Sequence, residues 1–211
     1  ALYQRHCRCR YDIYFFPDFM MNAPAEKLTS TVIEVENLVT YYGEQQVLDD
    51  VSLTVNEGEI MVIMGGSGSG KSTLLRYLLG LHQPDSGVVR LFDKDIADLS
   101  GSEWMAIRKK MGVSFQGGAL FNSMTVGENV CMPLREHTRL DENTLRIMSR
   151  MKLEVVNLSG FEDLMPSQLS GGMLKRAALA RALIMDPSLL FDAAPSAGRA
   201  PLVAAALDTL I

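Results

Sequence analysis

Residues 59–75 read Glu-Ile-Met-Val-Ile-Met-Gly-Gly-Ser-Gly-Ser-Gly-Lys-Ser-Thr-Leu-Leu, the most informative segment of the sequence. The apolar run from Ile60 to Met64 predicts a buried parallel strand that ends at glycine. The next residues fit the pattern G-x-x-x-x-G-K-S/T from Gly65 to Ser72, and a helical pattern begins at once. A strand, a glycine-rich loop and a helix in this order are the context that separates a phosphate-binding loop from a chance match.

Each residue type of this loop has a chemical role. Glycine lets the backbone turn several N–H groups toward one point, where they and the N-terminus of the following helix attract an anion. The Lys71 ammonium group is expected to reach the β- and γ-phosphates of a nucleotide, and the Ser72 hydroxyl to bind Mg²⁺. The loop residues predicted to bind ATP are Gly65, Gly66, Ser67, Gly68, Ser69, Gly70, Lys71, Ser72 and Thr73.

Length and composition exclude several classes of protein. The 211 residues suit one domain with an appendage, and an apolar fraction of 47% is enough for a sizeable core. The net charge of −5 argues against a nucleic-acid partner, since it implies no broad basic surface. Three cysteines make neither a disulfide framework nor a zinc site, which fits a reducing cytoplasm. No apolar stretch approaches the length of a membrane span.

The first 30 residues differ from the rest of the chain. Residues 1–19 carry three arginines and an aromatic run, with no capping signal and no clear period. We expect translation to begin natively at Met20 or Met21, with upstream or vector sequence before it; an amphipathic membrane-surface anchor is the functional alternative. Residues 1–30 are therefore predicted to be an extension, non-native or disordered up to about Met20, and residues 31–211 to form the domain.

Strand and helix patterns alternate in that domain. Alternating apolar residues predict strands at 32–36 and 47–55, with a turn at Tyr41-Tyr42-Gly43 between them. Tyr42 is our candidate for stacking on a purine ring, although an edge-strand tyrosine is more often a packing residue. Helices are predicted at 72–81, at 100–110, from the capping box Thr125-Val-Gly-Glu128, and from Asp141. In the last of these, apolar residues at 145, 148, 151, 155 and 158 predict a core or subunit contact.

Polar residues stand at the carboxyl ends of two further predicted strands. Residues 111–115 lead to Gln116, and residues 189–192 end on Asp192. Ligands collect at this edge of α/β folds, so Gln116 is a candidate ligand-binding residue. Asp192 is the expected Mg²⁺ partner of Ser72. Between them, Leu169-Ser-Gly-Gly-Met173 opens a helix and predicts a second anion-binding nest. Two such nests make sense if two copies pair head to tail and each lends its second nest to the other's ATP.

The ordered set of Tyr42, the loop at 65–73, Gln116, residues 169–173 and Asp192 resembles the ATP-binding subunit of ABC transporters. The resemblance covers about residues 32–211. It implies an α/β P-loop NTPase (ABC ATPase) fold with a mixed central sheet, an antiparallel β subdomain and a helical subdomain. Finer features resemble the Mla/Mce branch, which drives phospholipid or other lipid transport across the bacterial envelope: Phe115-Gln-Gly-Gly-Ala-Leu-Phe121, Glu128-Asn-Val130, Pro133-Leu-Arg-Glu136 and Met173-Leu-Lys-Arg176.

The resemblance also implies roles, cofactors and partners. Lys71 and Gln116 would serve catalysis, with Gln116 positioning water and Mg²⁺; Ser72, Gln116 and Asp192 would bind Mg²⁺, and Tyr42 would stack on adenine. The implied cofactors are ATP and Mg²⁺. The implied partners are a second ATP-binding subunit in a head-to-tail homodimer, a membrane permease and an Mce-type lipid-binding protein, with the protein peripheral at the cytoplasmic face of the inner membrane. The residues that would reach the second subunit's ATP are Leu169, Ser170, Gly171, Gly172 and Met173.

The end of the sequence departs from the family pattern. The family follows its Mg²⁺ aspartate with a glutamate that polarises water, whereas here Ala193 or, with one extra residue, Ala194 takes its place. Loss of a general base typically slows a reaction by about 10²–10⁴-fold. The switch histidine of the family is also not found before Ile211. A catalytically silent nucleotide-binding module is therefore the alternative to a working ATPase. A soluble ABC protein acting on ribosomes or DNA is disfavoured, because there is no second cassette or basic surface.

Overall fold

A computed structural model describes residues 30–115 and 117–193, together with the backbone of two further strands at 12–15 and 202–206. The chain divides into two compact units: Ala1–Arg108 with Pro195–Ile211, and Lys109–Ala194. The strands and helices, in chain order, are β1 (Asp12–Phe15), β2 (Thr31–Tyr42), β3 (Gln45–Asn56), β4 (Ile60–Met64), α1 (Lys71–Leu78), β5 (Ser86–Leu91), β6 (Lys94–Asp95), α2 (Gly101–Arg108), β7 (Met111–Ser114), α3 (Val126–His137), α4 (Glu142–Val155), a short 3-10 helix (Pro166–Gln168), α5 (Gly171–Leu183), β8 (Leu189–Asp192) and β9 (Leu202–Ala206).

The first unit contains a four-stranded antiparallel sheet in the order β3-β2-β5-β6. Alternate side chains of β3, such as Val51, Leu53 and Val55, are buried, as the period of two in the sequence predicts. β2 and β3 are joined by a tight turn at Gly43, whose φ of 62° is the left-handed conformation that glycine adopts at low cost. The predicted antiparallel β subdomain is thus confirmed.

The strand before the phosphate loop has antiparallel neighbours. β4 pairs with β1 from Asp12↔Met64 onward and with β9 from Ile60↔Ala205 onward, both antiparallel. The sequence analysis predicted a buried parallel strand here and did not predict β1 or β9. The prediction of parallel partners is wrong, because an apolar run reports burial and not the direction of the neighbouring strands. Burial itself is confirmed for Met61 and Ile63, while both ends of β4 are exposed.

The second unit combines a parallel strand pair with a group of helices. β7 and β8 pair in parallel register from Met111↔Leu189 to Ser114↔Asp192. Helices α3, α4 and α5 share one apolar core, so the predicted helical subdomain is confirmed. The α/β class with strand pairs of both directions therefore agrees with the predicted fold.

Helix α4 buries only part of the apolar stripe for which the sequence predicted a core or subunit contact. Leu145, Ser149 and Leu153 are buried, whereas Met151 and Val155 are 61% and 67% exposed. Ser149, the middle of these three buried residues, is polar. Its hydroxyl donates to the Gly127 carbonyl at 3.0 Å and so links α4 to α3. The apolar spacing of three and four residues was correct for a helix, but it included two residues outside the buried face.

Candidate nucleotide-binding site

The loop between β4 and α1 has the backbone of an anion site. Gly68 and Gly70 have φ of 78° and 96°, which turns the chain sharply before the helix. A Cβ on Gly65 would lie 2.7 Å from the Ser69 hydroxyl oxygen, so a larger residue there would displace the Ser69 side chain. Gly70 is the cap residue of α1 and has no side chain to cap the helix. The first N–H groups of α1 are therefore available to an anion, and the first turn contains no acid to repel it.

Lys71 lies across this loop. Its ammonium group donates to the carbonyl oxygens of Gly65 and Gly66 at 2.8 and 2.7 Å, and to the Ser69 hydroxyl at 3.0 Å. These three acceptors hold the lysine over the loop that is built to receive phosphate. The Ser72 hydroxyl, one residue on, belongs to an exposed side chain. Both residues are thus placed where the sequence analysis expected them to act.

Tyr42 lies beside the helix that follows the loop. Its hydroxyl accepts a hydrogen bond from the Arg76 guanidinium at 3.2 Å, and its side chain is 47% exposed. Hydrogen bonds with Thr73 and with Arg76 lower the pKa of Tyr42. The structure therefore brings the predicted purine-stacking residue and the phosphate-loop helix together within the first unit.

Three residues that the sequence analysis missed tie this aromatic turn to α1. Thr40 and Tyr77 are almost fully buried and their hydroxyl groups are hydrogen-bonded to each other. The Asp85 carboxylate accepts from the Thr40 hydroxyl at 3.1 Å and from the Tyr41 N–H at 2.9 Å. These partners are 37 to 45 residues apart in the chain, so no local pattern indicates the contact.

The second unit carries the other predicted polar residues. Asp192 ends β8 directly opposite Ser114, and the Ala193 N–H donates to the Ser114 carbonyl at 2.9 Å. The parallel register thus places the aspartate at the carboxyl edge of the pair, as predicted. Ala193 has only a methyl group, which cannot orient or deprotonate water. The predictions for Gln116 and Ala194 lie outside the described residues.

The segment at 169–173 forms an open helix start. The Ser170 hydroxyl accepts from the Met173 N–H at 3.3 Å and caps α5, while Leu169 is buried in the helical core. Gly171 and Gly172 are exposed, and a Cβ on either would meet no atom within 4 Å. Packing within the described residues therefore does not require glycine at either position. The anion-binding role of this helix start stays a prediction.

Within residues 30–115 and 117–193 and strands β1 and β9, no helix combines the length and the apolar character needed to cross a membrane.

Comparison with known proteins places these features in a family. Residues 48–193 match the family model described as ABC transporter. The chain is 44% identical over 184 residues to the "Intermembrane phospholipid transport system ATP-binding protein MlaF" of Haemophilus influenzae, which covers 87% of this chain and 70% of the relative. It is 43% identical over 179 residues to the "Probable ribonucleotide transport ATP-binding protein mkl" of Mycobacterium tuberculosis, covering 85% of this chain and 50% of that relative.

A solved structure agrees with the sequence relatives. The ATP-binding cassette MJ0796, in a dimeric post-hydrolysis state bound to ADP and Pi, superposes with a TM-score of 0.68 at 31% identity. The match covers 79% of this chain and 75% of that cassette.

Proposed function

Because the chain belongs to the ABC transporter family, we propose that it is the ATP-binding subunit of a transporter that moves phospholipid or another hydrophobic lipid across the bacterial envelope. The family couples ATP hydrolysis to transport. The observation that carries nucleotide binding is the loop before α1, where Lys71 and uncapped helix N–H groups converge. Lipid as the cargo is supported by the identity to MlaF and by the sequence features of the Mla/Mce branch.

The loop at 65–73 would hold the phosphates of ATP, with Lys71 on the β- and γ-phosphates. To do so, the lysine exchanges its carbonyl partners Gly65 and Gly66 for phosphate oxygens, a change that the flexible four-carbon side chain allows. Tyr42 would stack on adenine from its position beside α1. This assignment is supported by the half-exposed ring and by the contact of its hydroxyl with Arg76.

Mg²⁺ is the proposed metal. Its ligands would be the Ser72 hydroxyl, the Asp192 carboxylate and the Gln116 amide oxygen, which are the hard oxygen donors that this ion prefers. The exposed hydroxyl of Ser72 and the position of Asp192 at a strand end fit this role. Bound Mg²⁺ would neutralise charge on the phosphates, while the protein's own part is to position ATP and water.

We propose that two copies pair head to tail on ATP. Residues 169–173 would then contact the γ-phosphate of the other copy's ATP, chiefly through Ser170 and Gly172 at the open start of α5. The dimeric state of the MJ0796 cassette supports this pairing. A membrane permease and an Mce-type lipid-binding protein are the further proposed partners, with the subunit peripheral at the cytoplasmic face of the inner membrane.

Hydrolysis by this sequence is expected to be slow. Ala193 follows Asp192 where the family has its catalytic glutamate, and with one extra residue Ala194 takes that place. Phosphate binding does not use this carboxylate, so we expect ATP to bind normally while turnover is lowered by about 10²–10⁴-fold. The chain would then behave in isolation as the catalytically silent module.

The test measures Mg·ATP binding by calorimetry and phosphate release for the chain and for Ala193→Glu and Ala194→Glu, each with and without Lys71→Ala. We expect all three proteins to bind Mg·ATP and one glutamate variant to regain turnover. Adding Lys71→Ala should weaken ATP binding and abolish the restored turnover. Fast turnover in the unsubstituted chain would contradict the need for glutamate. Failure to bind ATP would contradict the proposal itself. With a permease in proteoliposomes, the restored variant should be stimulated by phospholipid and not by a ribonucleotide.

A further inference from the structure

Arg181 on α5 has an unusual pair of partners. Its guanidinium donates to the Ala119 carbonyl at 2.6 Å and to the Gly118 carbonyl at 2.8 Å. The side chain is half-buried, and this burial lowers the pKa of Arg181. Within residues 30–115 and 117–193, no carboxylate lies within ion-pair distance of it. Burying a cation without a carboxylate partner costs free energy, because no ion pair replaces the lost hydration. The two carbonyl contacts offset part of this cost.

The loop that Arg181 holds is in a strained conformation. Gly118 and Ala119 have φ of 76° and 46°, both in the left-handed region. For an alanine this conformation is unfavourable, because the Cβ lies too close to the backbone carbonyl oxygen, and it persists only where the surroundings enforce it. A Cβ on Gly118 would lie 3.2 Å from the Leu174 carbonyl of α5, so the loop main chain is pressed against that helix. The rigid fork of Arg181 matches the two carbonyl groups that this bend turns toward α5.

The ends of these two elements carry site residues. Helix α5 begins at the nest capped by Ser170, and the held loop follows Gln116 directly in the sequence. We propose that Arg181 is a positioning residue that locks the loop at 117–119 to α5, so that the helix presenting Ser170 and the loop following Gln116 move together. The functional consequence rests on the proposed function, in which Gln116 binds Mg²⁺ and Ser170 meets the second copy's ATP. Contact at one nucleotide would thereby influence metal binding at the other.

The same helix supplies a matched control. The Arg176 guanidinium donates to the carbonyls of Val156 and Asn157 at 3.1 and 3.0 Å. Arg176→Ala thus removes the same kind of contact from α5 without touching the loop at 117–119. Arg181→Lys keeps the charge but cannot form the two-pronged contact, and Arg181→Ala removes both.

The first measurement uses the chain without nucleotide. Amide hydrogen exchange should accelerate by about tenfold or more at residues 117–121 in both Arg181 variants, because local opening controls exchange there. Exchange at α3 and α4 should stay unchanged, and Arg176→Ala should leave residues 117–121 protected. Equal protection of residues 117–121 in Arg181→Ala and the unsubstituted chain would overturn the positioning role. Loss of protection throughout the unit would show only a general structural role and would also overturn it.

The second measurement compares ATP affinity in Mg²⁺ and in EDTA. Arg181→Ala should lose most of the Mg²⁺-dependent gain in affinity and keep its affinity in EDTA, as Gln116→Ala should. The double variant should lose nothing further, since one residue acts through the other. The inference would be overturned if Arg181→Ala lost as much ATP affinity in EDTA as in Mg²⁺. It would also be overturned if the losses of affinity from Arg181→Ala and Gln116→Ala added up in the double variant. If the unsubstituted chain binds no ATP, the proposed function fails and the exchange data alone decide the role of Arg181.

Discussion

Asn129 on α3 is fully buried, and its amide group makes four hydrogen bonds to the main chain of residues 121–125. The oxygen accepts from the Phe121 N–H at 2.7 Å. The nitrogen donates to the carbonyls of Phe121, Met124 and Thr125 at 3.0, 3.1 and 2.9 Å. One side chain thus provides the hydrogen-bond partners of an irregular segment that has few of its own. We predict that Asn129→Ala destabilises the second unit severely.

The magnitude follows from the partners that alanine would leave behind. Thr125 keeps a helical partner, because its carbonyl also accepts from the Asn129 N–H. The Phe121 carbonyl likewise keeps the Met124 N–H at 3.2 Å. The Phe121 N–H and the Met124 carbonyl lose the bonds that Asn129 gives them, and each unpaired group away from water costs about 1–3 kcal/mol. With a further small term for the cavity, the expected loss is about 3–5 kcal/mol, a large part of the total stability of a typical domain.

Asn129→Asp separates the effect of lost hydrogen bonds from the effect of lost side-chain volume. The carboxylate fills the same space but turns an acceptor toward three carbonyl oxygens, so it should be at least as destabilising as alanine at neutral pH. Once protonated, the acid regains one donor. The destabilisation by aspartate should therefore shrink as the pH falls, whereas the destabilisation by alanine should show no such dependence on this side chain.

The assay is urea unfolding followed by two probes. Circular dichroism reports the helices, most of whose described residues lie in the second unit, and fluorescence reports Trp104, the single tryptophan, which lies in the first unit. Asn143→Ala, at an exposed position of α4, is the control and should change stability by less than about 0.5 kcal/mol. A loss under about 1 kcal/mol for Asn129→Ala, or an aspartate variant as stable as the unsubstituted chain, would refute the reasoning.

Three further changes have expected outcomes. Lys71→Ala should weaken ATP binding by at least about tenfold in calorimetry, because it removes a charged phosphate contact from the site. Thr125→Ala breaks the reciprocal cap with Glu128 and should cost about 1 kcal/mol in urea unfolding. Hydrogen bonds from Ser100 lower the pKa of Glu103 from 4.5 to about 2. Its carboxylate therefore stabilises the fold above pH 4.5, and the excess melting temperature over Glu103→Gln should vanish as the pH falls toward 2.

The sequence predicted the elements whose hydrogen bonds are local. The cap of α3 forms between Thr125 and Glu128, and Ser170 caps α5 through the residue three positions on. Such contacts are encoded in a fixed spacing, so they can be recognised without knowing the fold. The phosphate loop is of the same kind, because its glycines, its lysine and the start of α1 are consecutive. Secondary structure that depends on such local motifs therefore agrees with the prediction, while the roles of the candidate phosphate and metal ligands stay predictions.

The predictions that failed concern contacts between distant parts of the chain. The direction of the neighbours of β4 depends on β1 and β9, far away in sequence. Which part of the apolar stripe on α4 is buried depends on where α3 packs, and the sequence left a core contact and a subunit contact open. The residues missed at the site, such as Tyr77, Asp85 and Arg181, bond across 37 to 63 residues. A tyrosine, an aspartate or an arginine alone does not indicate such a partner.

The contrast between local motifs and contacts across the chain explains why we expect this protein to bind ATP but to hydrolyse it slowly. ATP binding depends on a continuous loop at 65–73 whose geometry is set by its own glycines and Lys71. In the proposed function, turnover needs in addition a carboxylate close to Asp192, and the chain has the methyl group of Ala193 or, with one extra residue, of Ala194 in that place. The backbone at Ala193 is held by the hydrogen bond from its N–H to the Ser114 carbonyl. Restoring the carboxylate therefore requires one substitution and no new fold, which makes the glutamate variants a direct test of the chemistry.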